Sequence, residues 1–237
     1  MLPIDDARAA AERLVKGAIR AGADAADSLY AGNRSTSVAV RLRELEHVSQ
    51  SESEEIGLRV FVGARSATVS SSDLSAETVD ELIQRALAMA AEAPEDRFAG
   101  LAPPELMATP PFPELDSVDS DEPELEVLRQ RALDAEAAAL AVDGVTNSSG
   151  GSAGASGSTV ALATSAGFAG ARSATGFSCS VGVIAGEGGT MQRDHAWHSA
   201  RHYSDLDTAE EIGRLAGERA VARLNPTRPR SGAMPVL

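Results

Sequence analysis

Between residues 5 and 21 the apolar positions Ala7, Ala10, Ala11, Leu14, Val15, Ala18 and Ile19 recur at the i, i+3, i+4, i+7 spacing of an amphipathic helix, which Gly22 ends. The pattern then changes to alternation. Val38, Val40 and Leu42 alternate with polar neighbours in "TSVAVRL" (36–42), and "GLRVFVGARSATVSS" (57–71) reads as two short strands around a turn near Gly63. A helical stripe returns at Val79, Leu82, Ile83, Ala86 and Ala90, with Ser75 placed to cap the helix and Leu74 to staple onto Val79.

The same order then repeats. Leu125, Leu128, Ala132, Ala135 and Ala139 mark a helix over about 122–142. Alternation follows through Phe177, Cys179, Val181 and Val183, a turn falls at "GEGG" (186–189), and a closing helix begins in "SDLDTAEEIGRL", with Asp207 and Glu210 as a capping-box pair. "SDLSAETVDEL" at 72 and "SDLDTAEEIGRL" at 204 align the two copies. "GARSAT" also occurs twice, at 63 and 170, in a register incompatible with the first, and is treated as a coincidence.

The expected fold is α/β of the α+β type, a duplicated helix, antiparallel sheet, helix unit. The units cover 1–93 and 122–225. A Pro-rich acidic linker occupies 94–121, where Pro94, Pro103, Pro104, Pro110, Pro111 and Pro113 cluster with acidic residues.

Composition narrows the function classes. A formal charge of −14, with Lys16 the sole lysine, opposes binding to phosphate backbones, so nucleic acid is not an expected partner. No basic leader precedes an apolar run and no window reaches a membrane span, so neither membrane nor secretion is expected and the location is cytoplasmic. Aromatics make up only 3% of residues, so the cores must be built from Ala, Val and Leu. Cys179 is the single cysteine, which excludes a Cys-based zinc site, and its place in the alternation marks it as a small buried hydrophobe.

The most suggestive chemistry lies in "MQRDHAWHSARHYSDLD" (191–207). On a helix, His195, His198 and His202 would share a face and could reach one zinc ion. On a strand, His195 faces away from His198, and His198 and His202 lie about 13 Å apart. The repeat favours the strand, with Met191, His195, Trp197 and Tyr203 on one face, and with it a polar, partly exposed surface. A triad of Asp194, His198 and a serine has no support beyond proximity in sequence. His47 and Glu46 in "RELEHVSQ" lack HExxH spacing, so His47 is expected on a strand surface. "TNSSGGSAGASGS" (146–158) lacks the GK[ST] ending of a phosphate loop and reads as a flexible hairpin connection. No catalytic, cofactor-binding or metal residue is assigned.

The segments "GADAADSLYAGNRSTSVAVRLRELEHVSQSESEEIGLRVFVGARSATVSSSDLS" and "MQRDHAWHSARHYSDLDTAEEIGRLAGERAVARLNP" resemble the N-terminal region of the TldD/PmbA proteins, the modulators of DNA gyrase, and more closely the PmbA (TldE) branch. The resemblance implies a heterodimeric zinc-dependent protease. In it a TldD-type subunit carries an HExxxH motif, the PmbA-type subunit lacks one, and the pair acts on unfolded or extended peptides and on ribosomally made peptide antibiotics. It also implies that residues 226–237 are a linker and the first strand of a truncated C-terminal domain, and that the present chain serves in assembly and substrate enclosure. No zinc ligand of the family maps onto it; the zinc would belong to the TldD-type partner. The alternative is a stand-alone protein-binding adaptor, gyrase-modulator-like and without peptidase activity.

Overall fold

The computed structural model describes residues 1–227 and 231–233. The chain runs α1 (Ile4–Arg20), β1 (Ala25–Arg41), β2 (Glu44–Val62), β3 (Arg65–Ser71), α2 (Ala76–Glu92), then α3 (Leu125–Leu140), β4 (Val145–Thr164), β5 (Ala169–Ala185), β6 (Gln192–Ala200) and α4 (Ala209–Ala222). Helix, three strands and helix therefore occur twice, and the strands form one six-stranded antiparallel sheet in the order β3-β2-β1-β4-β5-β6. The fold is α+β, as the periodicities predict. No described helix is long and apolar enough to cross a membrane.

The two "SDL" sequences lead into α2 and α4, equivalent positions of the repeat. The two "GARSAT" copies do not correspond, since one enters β3 and the other starts β5. In α1 the predicted stripe is buried from Ala7 to Ala18, while Ile19 is 38% exposed. Gly22, at φ 110°, takes a conformation that other residues rarely adopt. Ser75 caps α2 by accepting the Thr78 N–H. The capping box of α4 lies one residue beyond the expected pair: Thr208 and Glu211 form it, not Asp207 and Glu210. Both pairs have the required spacing, but the Asp207 N–H is held upstream by His198 Nδ1 at 3.0 Å, so the helix starts later.

Two compact units emerge, each assembled from separate stretches of chain. One comprises Met1–Thr36, Gln50–Asp121 and Ser156–Gly176. Its core packs Leu14, Val15, Leu82 and Ile83 of α1 and α2 onto Tyr30, Ile56, Leu58 and Val60 of the strands. β1 starts well before the expected Thr36, at Ala25, because Ala26, Ser28 and Tyr30 supply the buried alternation with residues too small or polar to mark it. In this unit the Pro-rich stretch lies against the sheet: the Ser117 carbonyl accepts the Thr175 N–H at 2.8 Å, and Ser117 Oγ donates to the Ser173 carbonyl at 2.8 Å. β6 pairs with β5 only from Phe177 onward, so Ser117 occupies an edge that β6 leaves free.

The other unit comprises Ser37–Ser49, Glu122–Ala155 and the chain from Phe177. Here α3 and α4 cross at Gly213 and Gly217. A Cβ on Gly213 would lie 2.2 Å from the Ala135 carbonyl oxygen. The glycine-rich stretch expected as a flexible connection is instead part of β4. Its small residues permit close packing: a Cβ at Gly151 would come within 2.7 Å of the Ala132 carbonyl oxygen of α3. Residues 228–230 and 234–237, on which the expected further strand falls, lie outside the described residues.

Candidate functional site

The strand reading holds for His195 and His198, whereas Met191 and Tyr203, expected on the same face, lie outside β6 (Gln192–Ala200). β6 pairs antiparallel with β5, setting His198 opposite Cys179 and His195 opposite Gly182. Arg193, His195, Trp197 and Ser199 are exposed, while Asp194, Ala196 and His198 alternate with them toward α4. His195 and His198 therefore occupy opposite faces and His202 lies beyond the strand. Among the described residues no group of three or more His, Cys, Asp or Glu is placed to hold a metal ion.

Asp194 and His198 on the inward face each have a structural partner. His198 Nδ1 accepts the Asp207 N–H, and the Asp207 carboxylate lies 3.5 Å away. Asp194 accepts from the guanidinium of Arg223, the C-cap residue of α4, and from the His195 N–H at 2.8 Å. The Arg223 hydrogen bond, followed by that of the His195 N–H, holds the Asp194 carboxyl below its ordinary value of 3.8.

A folded-state pKa below the unfolded one contributes stability above the unfolded value, and that contribution is lost as pH falls through the folded value. Urea melts should therefore show Arg223→Ala less stable than the parent at about pH 6, with the gap closing by about pH 2. An equal gap at both pH values would rule out this pairing as the source.

Cys179 is buried, which raises its thiol pKa and suits a packing residue rather than a nucleophile. His47 and Glu46 are exposed on β2, as expected for a strand surface.

The feature that sequence periodicity missed is Glu136, wholly buried on α3 among Ala132, Ala135 and Ala139. Its two carboxylate oxygens accept the N–H groups of Leu42 and Arg43, each at 2.8 Å, and Oε1 also accepts the Ser148 hydroxyl. Leu42 and Arg43 form the β1–β2 turn at φ 50° and 69°, the type I′ geometry normally filled by Asn and Gly. Position 136 falls four residues after Ala132 on the buried stripe, and a carboxylate there was the signal available in the sequence.

Fold and histidine strand together define a duplicated α+β scaffold whose polar clusters cap, clamp and pin its elements. Two family profiles match it: PmbA/TldA metallopeptidase domain 1 over residues 26–90 and the PmbA/TldA metallopeptidase central domain over residues 118–224. The chain belongs to the PmbA/TldD family of metallopeptidases. It is 33% identical over 215 residues to the metalloprotease PmbA of Escherichia coli O157:H7, covering 90% of this chain and 48% of that protein. It is 29% identical over 202 residues to the PmbA homologue of Haemophilus influenzae, covering 85% of this chain and 45% of that protein.

The chain thus spans about half the length of the curated relatives it matches. Among solved structures, a candidate modulator of DNA gyrase from Bacteroides thetaiotaomicron superposes with a TM-score of 0.88 at 22% identity, over 96% of this chain and 52% of that one. TldE from Thermococcus kodakarensis superposes with a TM-score of 0.76 at 18% identity, over 90% of this chain and 47% of that one. At these identities the superpositions establish the shared fold. The metalloprotease relatives imply a metal for the family, and the described residues here do not offer a ligand set that fits one.

Proposed function

We propose that this chain is the N-terminal region of a PmbA/TldE-like subunit of a cytoplasmic TldD/TldE-type protease. Its role is to build the assembly and enclose peptide substrates, and the zinc is held by a TldD-type partner subunit. The observation that supports this reading most directly is the pair of consecutive PmbA/TldA domain profiles on a scaffold in which His198 and Glu136 are held by structural partners. The helix, strands and helix of 1–93 and 122–225 are read as its two building units, joined by 94–121.

The test is to co-purify the full-length protein with a TldD-type subunit and assay cleavage of an unfolded peptide, with and without a chelator. Chelator-sensitive cleavage well above that of the TldD-type subunit alone is expected. Activity equal to that subunit alone would overturn the reading.

A further inference from the structure

The unit containing α1 carries an open cleft of about 590 Å³ between that helix and the β4–β5 turn. This is within the size range of ligand sites, and its composition is typical of them: a largely apolar lining with few polar groups. Val15 and Ile19 of α1 form one wall; Ala163, Phe168 and Ala169 form the other. The Phe168 ring packs against its neighbours. It meets the Phe112 ring at a centroid distance of 5.7 Å, and a Cβ at Gly170 would come within 2.9 Å of it.

The polar groups of the cleft are unequal. Glu12 and Lys16 neutralise each other at 2.7 Å. Arg20, the remaining cation lining it, has no acidic partner among the described residues, in a chain whose formal charge is −14. Ser165 Oγ accepts the Ala26 N–H at 3.0 Å, and its own hydroxyl proton is left to donate. A guanidinium and a hydroxyl donor beside an apolar slot are the complement of a carboxylate attached to an apolar group.

We infer that this cleft binds the C-terminus of an extended peptide, with the last apolar side chain between Ile19 and Phe168 and the α-carboxylate on Arg20 and Ser165. A peptide fits better than a fatty acid, because an alkyl chain would desolvate the Glu12–Lys16 pair and the Thr164 hydroxyl without replacing their hydrogen bonds, whereas amide groups can replace them. The inference adds a holding site to the function proposed above, and rests on that reading only in choosing a peptide as carrier of the carboxylate.

The test is fluorescence anisotropy with the 237-residue chain and a fluorescein-labelled hexapeptide ending in leucine, as free acid and as C-terminal amide. The free acid should bind, and the amide should bind about tenfold more weakly. Arg20→Gln should remove about the same factor, and Ile19→Glu should weaken both peptides; both positions are exposed, so thermal melts should match the parent. Equal binding of acid and amide, indifference to Arg20→Gln, or binding of decanoate but not of the peptide would each overturn the inference. Because this assay reads binding without a partner subunit, its failure leaves the peptidase assay above unaffected.

Discussion

Replacing Glu136 by alanine is expected to destabilise the protein by about 3 kcal/mol in urea titration, with loss of amide-exchange protection at Leu42 and Arg43. The carboxylate is wholly buried and accepts three hydrogen bonds, from Leu42, Arg43 and Ser148. Its removal leaves these donors without an acceptor and withdraws what holds two non-glycine residues at positive φ, a conformation that itself costs on the order of 1 kcal/mol per residue.

Glu136→Gln separates shape from chemistry. A carboxamide presents one acceptor oxygen where the turn needs two, and its NH₂ group would face an N–H donor. It should therefore recover only part of the loss. If Gln proves as stable as Glu, the turn is held by packing and not by the paired acceptors.

The second large effect is expected at Gly213. Inside a helix, Gly→Ala ordinarily stabilises by about 1 kcal/mol. Here a Cβ would meet the Ala135 carbonyl oxygen at 2.2 Å and the Ala138 Cβ at 2.7 Å, and neither can rotate away. α4 would have to move off α3, opening a core built around Ala135, Ala139, Ile212, Ala216 and Ala220. The sign should reverse to a net loss of about 2 to 3 kcal/mol, read as a lower Tm by calorimetry. A Gly213→Ala protein melting at or above the parent temperature would show that the crossing is loose.

These two sites show what periodicity can and cannot reveal. Apolar spacing located α1, α2 and α3, because each buries a stripe that repeats every three or four residues, and the second "SDL" located α4. The repeat also placed His195 and His198 on a strand. Apolar spacing understated β1 and misread β4, since alternating Ala, Ser and Gly carry little hydrophobic contrast even where every second residue is buried.

The clamp was hidden for a different reason. Glu136 and the Leu42–Arg43 turn are far apart in the chain, and their pairing depends on where α3 packs. The shift of the α4 cap from Asp207 to Thr208 likewise depends on His198, a contact that local capping rules do not include. The cleft beside α1 joins a helix to a turn more than a hundred residues away, so composition alone could not indicate it.

The stretch around Ser117 has a consequence for solubility. A strand margin with free backbone donors and acceptors invites a neighbouring molecule to add its own strand, and successive additions make a fibre. β5 outside its β6 register would present such a margin, and the chain meets Thr175 there with its own Ser117. Proline suits the approach to that contact, because a segment that cannot donate evenly along its length closes one margin without offering another. The Pro-rich passage thus acts as a hem on that margin of β5, closing it within a single molecule.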